Sequence, residues 1–196
     1  EALLSTPNPA TWIGRRDRAL LLVAVQTGLR VSELTALRRQ DATFGTGAHV
    51  RCLGKGRKLR CTPLRVEVTK ILEAWLRERP LEPDTPVFPS SRGGRMSEDA
   101  VERAVTKHVA AALQGCPSLA GRQITPHTLR HTAAMQLLQK GVDRSVIALW
   151  LGHESIETTQ IYLHADLRLK EKALARTAPS GQTPGRYLPG DALLTF

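Results

Sequence analysis

The sequence predicts a mainly α-helical domain with one small antiparallel β-sheet, a fold of the α+β class. Apolar residues recur every three or four positions over most of the chain, as in residues 13–27, which is the pattern of an amphipathic helix. Only residues 48–64 change period, because two short strand-like runs flank the segment GKGRK, which is typical of a β-hairpin. Hydrophobic residues make up 41% of the 196-residue chain and aromatic residues only 4%, so we expect an aliphatic core.

The first helices are delimited by a glycine. The helix over residues 13–27 is expected to stop at Gly28, and a second helix begins at Val31 and carries Leu34 and Leu37 on one face. A third helix is expected over residues 66–78, after the hairpin, and is followed by a proline-rich loop over residues 80–89 and a Gly-Arg loop over residues 91–95.

The predicted hairpin fixes the expected positions of two cysteines. If Gly54 pairs with Leu59, Cys52 lies opposite Cys61. We expect two small buried thiols at these positions, and not a disulfide, in a reducing compartment.

The second half of the chain contains several helix boundaries. Ser97 is a good N-cap for a helix that extends to about residue 109. A helix over residues 127–139 is closed by Gly141, and Asp143 caps the next helix, which ends near Gly152. Two further helices are expected beyond this point, a short one that begins at Ser155 or Glu157 and holds Tyr162, and one over about residues 166–176.

The charge balance predicts a polyanionic partner. The chain has 28 basic and 18 acidic residues, a net charge of +10, and a pI of about 10.3. Basic side chains placed on phosphates release condensed counterions, so an excess of this size favours nucleic acid binding. No apolar run is long enough to span a bilayer, no signal-peptide pattern is present, and the three cysteines lack metal-ligand spacing, so we expect a cytoplasmic protein that does not bind membranes.

Three segments hold polar residues that local structure does not explain, and the first is TGLRVSEL at residues 27–34. Arg30 stands at a helix start, where the helix dipole disfavours a cation. The placement is explained if the helix amides and the guanidinium face one anion. An exposed Arg30 that pairs with Glu33 is the alternative, and the segment alone does not distinguish the two.

The second segment is PHTLRH at residues 126–131. His127 and Arg130 are three residues apart and are expected to share a helix face. His127 and His131 also have the spacing of two metal ligands on a helix. We expect no metal, because an arginine would project beside it and no cysteine or carboxylate cluster is near in sequence.

The third segment places His153 directly after a glycine helix stop and Tyr162 nine residues later, in LGHESI and TTQIY. With these three segments, residues 13–172 resemble the tyrosine recombinases, also called the phage integrase family, and are most similar to Xer-type recombinases. The family's fold is the integrase catalytic domain. Its catalytic set matches, in order and approximate spacing, Arg30, Lys55, His127, Arg130, His153 and Tyr162.

The resemblance implies cleavage and rejoining of DNA without a metal or any other cofactor. Tyr162 would attack a backbone phosphorus while Arg30 and Arg130 hold its non-bridging oxygens. His127 and His153 would add hydrogen bonds, and one of them would take the tyrosine proton. The other expected roles are proton donation to the leaving oxygen by Lys55, with Lys58 as a rival, and support of the site by Glu33 and His131.

The resemblance also implies partners and domain limits. Double-stranded DNA is the expected substrate, bound by a homotetramer at synapsis and by a chain that is monomeric when free. Residues 1–11 are expected to be a linker from an N-terminal DNA-clamp domain, residues 12–176 the catalytic domain, and residues 177–196 a flexible tail that either docks on a neighbouring protomer or stays disordered. The other basic residues expected to contact DNA are Arg57, Lys58, Arg60, Arg92 and Arg95.

Three other functions are alternatives to recombination. A type IB topoisomerase-like enzyme would use the same set to relax DNA, but the compact size and the spacing from His153 to Tyr162 favour a recombinase. A catalytically silent DNA-binding regulator is disfavoured because the catalytic set is complete. A metal-dependent nuclease is disfavoured by the shortage of clustered carboxylates.

Overall fold

The computed structural model describes residues 2–54 and 59–152. Lys55, Arg57, Lys58, His153, Tyr162 and the predicted tail lie outside the described residues. The helices of the described part are α1 (Ala2–Ser5), α2 (Trp12–Thr27), α3 (Val31–Ala36), α4 (Val66–Arg77), α5 (Glu98–Leu113), α6 (Pro126–Gln139) and α7 (Arg144–Leu151). Two short 3-10 helices, Arg39–Asp41 and Pro117–Leu119, lie between them.

The predicted helix boundaries agree with capping contacts in the structure. The Ser97 side chain accepts a hydrogen bond from the backbone N–H of Ala100, and Asp143 accepts one from that of Ser145. Helices α2 and α7 end at Gly28 and Gly152, which adopt left-handed φ values of 63° and 64°. The mostly helical fold with one small sheet is therefore confirmed.

The sheet has three antiparallel strands in the order β1 (Ala42–Thr43), β2 (His49–Leu53) and β3 (Leu59–Pro63). Its register corrects the sequence prediction by one residue: Leu53 pairs with Leu59, so Cys52 lies opposite Arg60. A shift of one residue turns a strand's side chains to the other face. Cys52 is accordingly buried, and burial raises the pKa of its thiol to about 11, whereas Cys61 is exposed, so the expectation of two buried thiols is wrong.

Helix α2 lies at the centre of the main hydrophobic core. It packs against α4 and α6, and its residues Leu20, Leu21 and Val23 are fully buried. A second, smaller apolar cluster between α6 and α7 contains Leu138, Ile147 and Leu151, among others. The carboxyl end of α7 lies beside β3 and close to the end of α2. Several elements therefore contribute polar groups around this helix end.

Residues 2–11 lie in the segment that the sequence predicts to be a linker. They include helix α1, which packs against α5 and α2. The Thr6 hydroxyl lies 2.9 Å from Nδ1 of His108, whose Nε2 lies 3.0 Å from Oδ2 of Asp17. Arg16 donates to Oδ1 of Asp17, and these four residues form what we call the buried network. The segment is thus attached to the helical domain by packing and by a hydrogen bond.

Within residues 2–54 and 59–152, no helix combines the length and the apolar character needed to cross a membrane.

Candidate active site

Three guanidinium groups converge on the carboxyl end of α7. Arg30 donates to the carbonyl oxygen of Gly152 (3.3 Å), while Arg60 and Arg130 both donate to that of Leu151 (2.9 and 2.7 Å). The last carbonyls of a helix have no partner within the helix and lie at the negative end of its dipole, so they attract cations. We call Arg30, Arg60 and Arg130 the arginine cluster.

Arg130 is the most deeply buried member of the cluster. Its residue is 5% exposed, and a second donor of its guanidinium binds the carbonyl oxygen of Gly28. Arg130 therefore joins the end of α2 to the end of α7, because each of its two terminal nitrogens donates to one of these helix ends. A planar guanidinium held at two points has a fixed orientation, as the recognition of a tetrahedral anion requires.

Arg30 is oriented by Glu33 one helical turn later. The carboxylate of Glu33 accepts from the backbone N–H of Arg30 (2.7 Å) and from its guanidinium (3.1 Å). The side chain of Arg30 remains 36% exposed, whereas that of Glu33 is only 4% exposed. The sequence left open whether Arg30 pairs with Glu33 or faces an anion; in the structure it pairs with Glu33 and still reaches solvent.

Two glycines allow these segments to approach each other. A side chain at Gly28 would place its Cβ 2.6 Å from Cδ2 of Leu151, and one at Gly152 would collide with the guanidinium of Arg60. Both glycines also have positive φ values, which residues with a Cβ adopt at a cost. The absent side chains therefore make room for Leu151 and for Arg60.

The histidines of the second segment lie at the start of α6. The rings of His127 and His131 are in edge-to-face contact, with centroids 5.1 Å apart, and both residues are exposed. Burial of its ring and the neighbouring His127 lower the pKa of His131. Within the described part of the chain, no group of three or more potential metal ligands includes this pair.

The remaining DNA-contact candidates in the described residues have different environments. Arg92 is exposed. Arg95 is also exposed, but it donates to the hydroxyl of Thr35 (2.7 Å) and to the carbonyl of Ser32 (3.2 Å), so the Gly-Arg loop lies against α3. Arg60 is the least exposed of these three arginines: its side chain is 10% exposed and is paired with Glu33.

Sequence reasoning assigned no special role to the inner face of β3. In this strand the polar side chains of Arg60 and Thr62 face the protein interior, while the side chains of Leu59 and Cys61 face outward. The polar side chains at alternate positions were a signal of this arrangement, but only contact with Glu33 and Leu151 makes an inward arginine favourable.

Comparison with known proteins shows the family of the chain. The model of the Phage integrase family matches residues 1–168. The chain belongs to the phage integrase family. It is 56% identical over 196 residues to a putative integrase/recombinase, y4rC, of Sinorhizobium fredii, and 38% identical over 184 residues to tyrosine recombinase XerC of Pelobacter propionicus. These alignments cover 100% and 93% of this chain but 59% of each relative, so the chain spans about three fifths of their length.

Solved structures of integrase-family proteins share the fold. The XerH site-specific recombinase, in a post-cleavage complex with its palindromic difH substrate, superimposes with a TM-score of 0.74 at 28% identity, over 89% of this chain and 50% of that one. The XerA recombinase gives a TM-score of 0.73 at 28% identity, over 91% of this chain and 61% of that one. The expected Xer-like catalytic-domain fold is thus confirmed for this integrase-family chain.

Proposed function

We propose that this chain is the catalytic part of a site-specific DNA recombinase that cleaves and rejoins strands through Tyr162. The observation that supports this most directly is the convergence of Arg30 and Arg130 at one helix end, although they come from segments far apart in the sequence. Both were expected, from the resemblance, to hold the same phosphate. Family membership and the DNA complex of XerH support the same conclusion.

The proposed reaction is a transesterification. The phenolic oxygen of Tyr162 attacks the phosphorus, the bond from phosphorus to the 5′-oxygen breaks, and a 3′-phosphotyrosyl link and a free 5′-hydroxyl result. The phosphodiester is exchanged for another phosphodiester, so attack by a 5′-hydroxyl of a second duplex reverses the step without an external energy source.

The arginines would stabilise both the nucleophile and the transition state. An unperturbed tyrosine has a pKa of about 10, so its ionisation at pH 7 costs about 4 kcal/mol. A site that contains Arg30 and Arg130 lowers this cost and stabilises the charge that develops on the non-bridging oxygens. Because the carbonyls of Gly28, Leu151 and Gly152 already orient the guanidiniums, little reorganisation is required when the phosphate binds.

Protons would be moved by residues around this anion site. His127 or His153 would accept the proton of Tyr162, and Lys55 would donate one to the leaving 5′-oxygen, with Lys58 as the alternative donor. Burial and the neighbouring His127 lower the pKa of His131, which favours its neutral imidazole, so it is suited to a supporting hydrogen bond. Glu33 orients Arg30. We expect the acting form to be a homotetramer on two double-stranded DNA sites, with Arg57, Lys58 and Arg92 on the DNA backbone.

A covalent trap tests this function. The protein, both alone and within the full-length protein, is incubated with random duplexes that carry 5′-bridging phosphorothiolates, whose thiol leaving group does not readily religate. We expect an SDS-resistant adduct that mass spectrometry maps to Tyr162 and that Tyr162→Phe abolishes, and sequencing of the trapped DNA reports the preferred site.

The other outcomes identify the competing functions. DNA binding without any adduct, in both lengths of the protein, would indicate a catalytically silent regulator and contradict the proposal. An adduct accompanied by relaxation of supercoiled DNA, with no strand exchange between duplexes, would indicate a topoisomerase-like enzyme.

A further inference from the structure

Arg60 occupies an unusual position for a strand arginine. Its side chain lies on the inner face of β3 and is only 10% exposed. Its two terminal nitrogens donate to the two carboxylate oxygens of Glu33 (3.1 and 2.7 Å), and one of them also donates to the carbonyl of Leu151 (2.9 Å). These contacts direct the guanidinium toward Glu33 and the carboxyl end of α7.

The carboxylate of Glu33 is shared by Arg60 and Arg30. The same two oxygens that accept from Arg60 also accept from the guanidinium and the backbone N–H of Arg30. Since the Glu33 side chain is 4% exposed, water does not replace a lost partner easily. Removal of Arg60 would therefore leave a buried carboxylate with Arg30 as its remaining cation, and Arg30 would be drawn closer to Glu33.

Arg60 also connects three parts of the predicted catalytic set. It is the second residue of β3, the strand that follows the hairpin segment containing Lys55. Through Glu33 it contacts α3, at whose start Arg30 lies, and through Leu151 it contacts the end of α7, two residues before His153.

The glycine at the end of α7 leaves room for this contact. A Cβ at Gly152 would overlap one terminal nitrogen of Arg60 and lie 3.2 Å from its Cζ, so a side chain there would displace the guanidinium. The left-handed φ of 64° also favours glycine at this position.

We propose that Arg60 is a positioning residue for strand cleavage: it holds the Glu33 carboxylate, and through Glu33 it holds the Arg30 guanidinium, beside the carboxyl end of α7. This inference rests on the proposed function, and it replaces the expectation that Arg60 contacts DNA. The Arg60 side chain itself does not touch the phosphate.

The test compares Arg60→Met and Arg60→Lys with Arg51→Met. Arg51 is a matched control, because it lies on the adjacent strand β2, is 44% exposed, and makes only a distant ion pair with Asp41 (3.7 Å). At saturating DNA, we expect Arg60→Met to slow single-turnover cleavage about tenfold to hundredfold while the Kd for duplex DNA changes less than about twofold. Arg60→Lys restores part of the rate, and Arg51→Met leaves the rate unchanged.

The salt dependence of binding separates positioning from DNA contact. A residue that binds a phosphate contributes about one to the slope of log Kd against log salt concentration. Arg60→Met is expected to leave this slope unchanged. A slope reduced by about one, with normal cleavage at saturating DNA, would overturn the proposal.

Two further measurements test the proposal if Arg60→Met does not fold or if the unsubstituted protein does not cleave DNA. If Arg60→Met is unfolded, the double variant Arg60→Met/Glu33→Gln removes the uncompensated carboxylate, and positioning predicts that it cleaves as slowly as Glu33→Gln alone. Hydrogen exchange of the Arg30 Nη protons, followed by NMR, needs no activity and should slow in Arg60→Met, because Arg30 is drawn closer to Glu33. Unchanged exchange contradicts positioning, whereas absence of an adduct in the unsubstituted protein contradicts the proposed function.

Discussion

Arg16 and Arg130 are both buried, yet their guanidinium groups have different kinds of partner. Arg16, in the buried network, donates twice to Oδ1 of Asp17 (2.9 and 2.7 Å) and once to the carbonyl of Pro89. Arg130, in the arginine cluster, donates to the carbonyls of Gly28 and Leu151. Both guanidiniums are therefore fixed in orientation, that of Arg16 by a side-chain carboxylate on the same helix and that of Arg130 by main-chain carbonyls at two helix ends.

The difference indicates which of the two sites is built for an anion. The buried network balances one guanidinium against one carboxylate, and its hydrogen bonds join α2 and α5 to Thr6, the residue that follows α1. In the arginine cluster, Arg30 and Arg60 share the carboxylate of Glu33, and the three guanidiniums join α3, β3 and α6 to the ends of α2 and α7. We therefore expect substitutions in the network to change stability and substitutions in the cluster to change cleavage.

Asp17→Asn is expected to have the largest effect on stability. It leaves Arg16 buried without its carboxylate, so the free energy of unfolding at pH 7 should fall by about 3–5 kcal/mol in urea titrations. The rate of adduct formation per folded molecule should remain that of the unsubstituted protein. If Asp17→Asn were stable but formed no adduct, the buried network would be part of the active site.

The same variant has a defined pH dependence. Burial raises the pKa of Asp17, but hydrogen bonds from His108 and Arg16 outweigh this effect, so the pKa lies below 3.8. Because the folded-state pKa is the lower one, the ionised carboxylate stabilises the fold fully above the unfolded-state pKa of about 3.9, and this contribution is lost as the pH falls through the folded-state pKa. The stability difference from Asp17→Asn should therefore shrink below about pH 3.9.

Arg130→Lys is expected to have the largest effect on cleavage. An ammonium does not reproduce the planar fork that reaches both helix ends, so the single-turnover rate should fall about 10²–10³-fold, as for loss of one transition-state donor. Arg16→Lys is the matched control and should lower the urea midpoint without slowing cleavage per folded molecule. Equal losses of cleavage in the two variants would remove the distinction between the sites.

Gly152→Ala probes the packing of the cluster with a smaller change. Gly121→Ala is the control, since its φ of 72° is equally unfavourable for alanine but its Cβ would meet open space. Each substitution should cost about 1–2 kcal/mol of unfolding free energy through backbone strain. Only Gly152→Ala should also slow cleavage, by about tenfold, because its methyl group displaces Arg60. Equal cleavage rates in both variants would show that glycine is required at position 152 only for its backbone conformation.

The smallest expected effect is a change in the titration of His131. His127→Asn removes one of the two causes that lower its pKa, so the pKa should rise toward 6.5 while burial keeps it below that value. The ring proton resonances of His131, followed by NMR against pH, measure the change. His49→Asn, on the sheet, serves as control, and an unchanged pKa in His127→Asn would assign the whole shift to burial.

Much of the fold follows from local sequence, because helix boundaries depend on neighbouring residues. Gly28 and Gly152 end helices where glycine stops were predicted, and Ser97 and Asp143 cap the helices that follow them. The sheet register did not follow, since a hairpin sequence permits pairings that differ by one residue. What favours the observed pairing is the contact of Arg60 with Glu33, 27 residues away in the chain.

Periodicity, composition and motif spacing are properties of the chain alone, and they predict the fold class, a polyanionic partner and the residue types of the site. The use of each arginine depends instead on contacts between elements far apart in the sequence. Arg30, Arg60 and Arg130 share the carboxyl end of α7, where Glu33 pairs with Arg30 and Arg60, whereas Arg16 pairs with Asp17 in the buried network. The physical reason is that packing between elements far apart in the sequence determines which carbonyl or carboxylate lies next to a buried charge. A local sequence pattern does not contain this information.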